Sequence, residues 1–247
     1  MASGKTTLAN AILGNSTNTY HRITSELGVT HRMVYGTSQD FKIYPSKDAA
    51  AKALEILRID KHSQDAFYQE IHNGYRGYER NDIAFIQTEH SSELLNIGVE
   101  ITELPYFITT HNRQIIYESI YDADLIICCI NFNHFPSQDS KDFIREIFSQ
   151  VRKSDCTTLF AVTHCEMDDW DIKIERWKEI RAQISSELQA LYPHFDDSQL
   201  FLLDMSQHST KMGSPNAEII DDNRILSLKV AIYRQIAKTY YKRNEKH

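Results

Sequence analysis

Gly4-Lys5-Thr6-Thr7, preceded by Ser3, is the set of residues whose types and spacing most directly suggest chemistry. A glycine lets the backbone approach a phosphate, a lysine neutralises β- and γ-phosphate oxygens, and a threonine hydroxyl is a ligand for Mg2+. A helix starting at this lysine points its unsatisfied N–H groups and the positive end of its dipole at the same anion. The stretch is the close of a Walker A motif, G-x-x-x-x-G-K-[ST], whose first glycine would fall two residues before Met1. G-K-[ST] alone arises by chance in roughly one chain of this size in ten, so its weight depends on the elements around it.

Those elements alternate. Lys5–Leu13 has helix-forming composition and ends at Gly14. Arg32–Tyr35 and Phe41–Tyr44 read as β segments around a polar turn, and the Ala- and Leu-rich Lys47–Ile59 as a helix. Ser63–Tyr78 is helical in part, Asp82–Thr88 and Ile97–Thr102 are strands, and Gln114–Tyr121 is a helix. The run Leu125–Phe132, apolar but for Asn131, is expected to be a central strand covered on both faces. Ser137–Val151 is amphipathic, with Phe143, Ile147 and Val151 at helical spacing. Thr158–Thr163 is another buried strand, Ile172–Leu191 a long helix and Gln199–Asp204 a further strand. Ile225, Leu228, Ile232 and Ile236 form a helical stripe in the last segment. Such alternation implies an α/β fold with a mostly parallel sheet and helices on both faces. Nucleotide sites in such folds lie at the carboxyl ends of strands.

Composition narrows the classes. The 247 residues carry 34 acidic and 27 basic side chains, a net charge of −7 that leaves no footprint for nucleic acid. An apolar fraction of 41% is enough for a sizeable core. The apolar run Leu125–Ile130 is far short of the ~20 residues a membrane span needs. Cys128, Cys129, Cys156 and Cys165 lack C-x-x-C spacing and read as small hydrophobes of a reducing, cytoplasmic compartment. His164-x-Glu166 matches one piece of a zinc deaminase signature, but its P-C-x-x-C half is absent. Lys238, Lys242, Arg243 and Lys246 suit the C-terminal end of a helix. Glu118, Asp122 and Asp124 read as solvated carboxylates, Trp170 and Trp177 as packing residues, and His111 and Gln114 as exposed side chains of a loop-to-helix stretch.

Gly4-Lys5-Thr6-Thr7-Leu8-Ala9-Asn10-Ala11-Ile12-Leu13-Gly14 resembles the G-K-S-T-L-x-N-A-L-L-G of dynamin-like GTPases, bacterial ones above all. The resemblance continues in order over residues 1–210. Leu94 to Tyr106 is similar to the strand that leads into switch II, which the family ends in D-x-P-G, and Ala123-Asp124-Leu125-Ile126-Ile127 to the strand after it. Thr163-His164-Cys165-Glu166 stands in the place of the guanine-reading [NT]-K-x-D, and Leu203-Asp204-Met205-Ser206-Gln207 in that of the last base-side loop. The resemblance implies one P-loop G domain over 1–247, with core motifs in 1–210, a C-terminal helix in 211–247 and no stalk domain. It implies GTP or GDP with Mg2+ as ligands, Ser3, Gly4, Lys5, Thr6 and Thr7 on the phosphates, and Thr163, His164, Glu166, Ser206 and Gln207 on the base. Thr6, Glu103 and a switch I threonine would hold the metal. Thr24 is the first choice for the last role, with Thr30 the alternative. Thr24, Glu103 and Tyr106 would carry catalysis.

Departures from the family pattern imply weakened or lost hydrolysis. Glu103 replaces the family's aspartate and is one methylene longer, Tyr106 replaces its glycine, and His164 its lysine. The polar pair that positions the attacking water in many dynamins falls on Met1 and Ala2. Phosphoryl transfer rests on positioning and charge stabilisation, so these losses lower turnover before they abolish binding. The strand that precedes a P-loop in the middle of such a sheet would lie before Met1. Its absence would leave rows of backbone groups unpaired at about 1–3 kcal/mol each. Self-association through the G domain is implied, and membrane association only through the absent stalk. The competing readings are a pseudo-GTPase interaction module and a P-loop ATPase or small-molecule kinase.

Overall fold

The structure, a computed structural model, describes residues 4–14, 28–38, 40–44, 55–58, 83–105, 110–135, 137–151, 156–163, 170–203 and 222–244. Two compact units emerge, one of residues Lys5–Arg113 and one of Met1–Gly4 with Gln114–His247.

In the first unit, α1 (Lys5–Leu13) is followed by β1 (Thr30–Tyr35), β2 (Asp40–Tyr44), β3 (Glu55–Arg58), β4 (Phe85–His90), α2 (Glu93–Asn96) and β5 (Ile101–Glu103). The strands form one sheet in the order β3-β2-β4-β1-β5. β1 runs parallel to β4, with Thr30 opposite Phe85 and Tyr35 opposite His90. It runs antiparallel to β5, with His31 opposite Glu103. β2 is antiparallel to both its neighbours, so this sheet is mixed rather than mostly parallel. Strand alternation puts His31 and Met33 of β1 on one face with Ile86, Thr88 and His90 of β4 and Ile101 and Glu103 of β5. Ala9 and Leu13 of α1 pack there with Met33, Leu95 and Ile101. The other face carries the Arg32 guanidinium 4.2 Å from the centre of the Phe85 ring, which is itself stacked on Tyr44. α1 stops at Gly14, whose φ of +74° only glycine adopts without strain.

The predicted helix Lys47–Ile59 is corrected over Glu55–Arg58, and the rest of it lies outside the described residues. Glu55–Arg58 is strand β3, paired antiparallel with β2 from Asp40↔Arg58 to Ile43↔Glu55. Ala and Leu favour helix locally, but backbone pairing with a neighbouring strand overrides so weak a preference. The predicted helix Ser63–Tyr78 lies outside the described residues.

The second unit contains most of α3 (Thr110–Asp122), then β6 (Leu125–Asn131), α4 (Gln138–Val151), β7 (Thr157–Thr163), α5 (Trp170–Leu191), β8 (Leu200–Leu202) and α6 (Asp222–Asn244). Its sheet is parallel throughout, in the order β6-β7-β8. The strand covered on both faces is β7, where Phe160, Ala161 and Val162 are fully enclosed. The Phe160 ring meets Phe148 of α4 and Phe195. Ile180, Ile184 and Leu188 of α5 and Leu228 of α6 complete an apolar interior. Each such side chain contributes about 1.5–3 kcal/mol when removed from water. Among the described residues β6, read from its apolar run as a central strand, pairs with β7 alone and ends this sheet, as β5 ends the other. Among the described residues, no helix is long and apolar enough to cross a membrane.

Candidate functional site

α1 begins at Lys5, and the sequence before it makes the turn. Gly4 has φ +73°, and a Cβ there would sit 3.1 Å from both Cγ2 and Oγ1 of Thr163. A side chain at position 4 would thus meet both backbone strain and a close neighbour. Two residues expected at the phosphate and at the base are therefore together. Thr163 ends β7 and is 1% exposed, and its hydroxyl donates to the Ile130 carbonyl at 3.3 Å. That hydroxyl serves the join between β6 and β7.

Within the first unit, Lys5 and Thr7 are half-buried in the first turn of α1, and Thr6 is buried. The Thr6 hydroxyl donates to Glu103 Oε1 at 2.6 Å. The contact joins residues 97 apart in sequence and follows from α1 lying on the face of β1 and β5 that carries Glu103. The hydroxyl proton is used by the carboxylate, which leaves the oxygen's lone pairs for a cation. Hydroxyl and carboxylate oxygens are the hard ligands that Mg2+ takes, together with water and phosphate oxygens. Among the described residues there is no cluster of three or more His, Cys, Asp or Glu side chains suited to a metal ion. A magnesium site that draws most of its ligands from phosphate and water needs no such cluster.

A polar chain continues from this pair. His31 Nδ1 lies 4.0 Å from Glu103 Oε2. His31 Nε2 is 2.7 Å from Thr88 Oγ1, which is 2.9 Å from His90 Nε2. His31 is wholly enclosed, and burial, with His90 beside it, pushes its imidazole down to about 3. Burial also lowers His90. Both rings are neutral at physiological pH. Motif reading missed His31, Thr88 and His90. Their one sequence signal is polar residues sharing inward positions with Met33 and Ile86.

Thr30 begins β1 and is buried. Alternation turns it to the face opposite His31 and Glu103. Ser3, Thr24, Tyr106, His164, Glu166, Ser206 and Gln207 lie outside the described residues. Of the remaining candidates, Gln114 donates to Glu118 on the helix surface, Asp122 and Asp124 are exposed, and Trp177 is buried in the core.

No family model matches the sequence, and no curated protein matches it. Solved structures do. Two chains of an oligomerised bacterial dynamin pair, described as providing a mechanism for the long-range sensing and tethering of membranes, share the fold. One aligns with a TM-score of 0.61 at 15% identity over 96% of this chain, the other with 0.64 at 15% over 95%. This chain spans 36% of the length of each. The mixed α/β architecture, with its parallel three-stranded sheet and flanking helices, is a dynamin-like fold.

Proposed function

We propose that this chain is a divergent, cytoplasmic dynamin-like GTP-binding protein that holds GTP or GDP with Mg2+ and hydrolyses GTP weakly or not at all. The observation that carries the reading is the buried 2.6 Å hydrogen bond from Thr6 to Glu103. It joins the threonine of a G-K-T motif to the carboxylate that ends a strand, the two protein oxygens that a nucleotide-bound magnesium requires. In this reading Ser3, Gly4, Lys5, Thr6 and Thr7 bind phosphate, and Thr163, His164, Glu166, Ser206 and Gln207 form the base side. Thr24 supplies switch I, and bound Mg2+ neutralises charge on the β- and γ-phosphates. Met1 and Ala2 stand where the resemblance expects a pair that positions water, and Tyr106 where it expects a glycine whose amide grips the γ-phosphate, which supports weak turnover over loss of binding. Association between copies through the G domain belongs to the same reading.

The test is binding of a fluorescent GTP analogue, with phosphate release followed in parallel, for the wild type and Lys5→Ala. Losing a charge-assisted contact to phosphate weakens binding about 10- to 100-fold. Equal signals from both proteins would overturn the proposal, and displacement by ATP but not GTP would favour the kinase class instead.

A further inference from the structure

Thr88 has one hydroxyl proton and two lone pairs and touches two imidazole nitrogens, so it donates to at most one of the rings. The settings of the chain divide by where His31 keeps its proton. In one, His90 Nε2–H donates to Thr88, Thr88 donates to His31 Nε2, and the single proton of the neutral His31 ring sits on Nδ1, facing Glu103. In the others His31 Nε2–H donates to Thr88, which donates to His90 or accepts from it, and His31 turns an Nδ1 lone pair towards a carboxylate oxygen 4.0 Å away. A carboxylate only accepts. With His31 at 0% and Glu103 at 4% side-chain exposure, no solvent separates the lone pair from the carboxylate, and these other settings are disfavoured. The 4.0 Å gap is longer than a hydrogen bond, so the attraction is between an N–H dipole and a charge.

Building on the reading of Thr6 and Glu103 as a cation site, we infer that His31 is a positioning residue for Glu103. The His90–Thr88 chain holds His31 as its Nδ1–H tautomer, and its N–H dipole attracts Glu103 Oε2 across 4.0 Å while Thr6 hydrogen-bonds Oε1. Glutamate has one more rotatable bond than the aspartate of the family pattern, so its carboxylate has more freedom to swing away. Here α1 holds one oxygen and β1 faces the other, and the position of both strands is set by the register His31↔Glu103. His31 thus offsets the longer side chain. Groups that orient a metal ligand from behind typically change metal affinity 10- to 100-fold when removed.

Long-range proton–nitrogen NMR of histidine-labelled protein reads the tautomer directly, with His31 assigned by its absence in His31→Asn. The expected result is the Nδ1–H form in the wild type and a shift towards Nε2–H in Thr88→Val, which keeps the shape but loses the donor. The Nε2–H form in the wild type, or no change in Thr88→Val, overturns the inference. Mg2+ titration of the complex with a fluorescent GTP analogue gives the second readout. His31→Leu should weaken Mg2+ about 10-fold. His31→Asn, whose amide N–H reaches the place of Nδ1, should recover most of that loss. Unchanged Mg2+ affinity in a folded His31→Leu also overturns it. Failure of the wild type to bind GTP, with His31 as Nδ1–H, defeats the nucleotide reading but supports the orientation of Glu103. GTP binding with the Nε2–H form defeats the inference and leaves the nucleotide reading intact.

Discussion

The two sheets solve the problem of a buried interior in opposite ways. Around β7 the interior is dry and aromatic, with Phe160 against Phe148 and Phe195 and with Ile184 and Leu188 of α5 enclosed. Behind β1 a line of polar groups, Thr6, Glu103, His31, Thr88 and His90, lies beside the apolar cluster of Ala9, Leu13, Met33 and Leu95. Apolar packing is non-directional and accepts many substitutions of similar volume. A buried polar chain requires each donor to meet an acceptor and brings little net stability for that constraint. The difference teaches where selection for something other than stability is concentrated. A sheet that needed only to fold would carry Val or Ile at positions 31, 88 and 90.

The largest effect that sharpens this contrast is Phe160→Ala. Removing a fully enclosed ring from the dry interior costs about 3–5 kcal/mol. Denaturant melts read the total. Hydrogen exchange should place the first loss of protection in β6, β7 and β8 (an equal loss in β1 and β4 would break the contrast). Next comes pH, to which the two units respond at opposite ends. His31 stays neutral in the fold down to about 3, but in the unfolded chain it takes a proton below its ordinary 6.5. The unfolded state then binds more protons, so stability falls as pH drops from 6.5 towards 3, by about 2 kcal/mol at pH 5 from His31 alone. His90 acts in the same direction. Burial pushes the Cys128 thiol up to about 12, and burial together with Asp124 pushes Cys156 up to about 11. Above their ordinary 9.0 the unfolded thiols ionise while the folded ones do not, so the second unit loses stability as pH rises. Exchange measured across this range should show the acid loss in β1 and β4 and the alkaline loss in β6. A His31→Asn variant with a shallower acid slope, the His90 part remaining, and with the alkaline slope unchanged would confirm the assignment.

How much of this was legible depends on how local each signal is. α1, β1, β2, α4, β7, α5 and α6 announce themselves through apolar spacing, and Gly4-Lys5-Thr6 through a contiguous motif. Glu103 was reachable only by following the order of motifs. β3 was misread because Ala and Leu carry helix preference and pairing with β2 is not encoded in Glu55–Arg58 alone. The edge position of β6 among the described strands was missed because an apolar run reports burial and not its neighbours in a sheet. His31, Thr88 and His90 form no spacing motif, since His31 and Thr88 are 57 residues apart. The parallel register of β1 on β4 puts them on one face, and register is a property of the folded sheet.

The smallest effect tests whether Thr163 meets Gly4 by shape or by chemistry. Thr163 ends β7 with its hydroxyl on the Ile130 carbonyl, so Thr163→Val removes one hydrogen bond and costs about 1 kcal/mol. Gly4→Ala meets both the left-handed φ of +73° and the crowding by Cγ2 and Oγ1 of Thr163. The backbone part is about 1 kcal/mol. It remains whatever stands at position 163, whereas the crowding part depends on the neighbour. Valine keeps both branches of threonine, and alanine removes both. Gly4→Ala should therefore cost as much beside Thr163→Val as in the wild type, and about 0.5–1 kcal/mol less beside Thr163→Ala. Equal costs in all three backgrounds would mean that glycine is required by backbone conformation alone. A relief confined to Thr163→Ala would mean that the end of the apolar strand sets how closely the Gly4 backbone can lie.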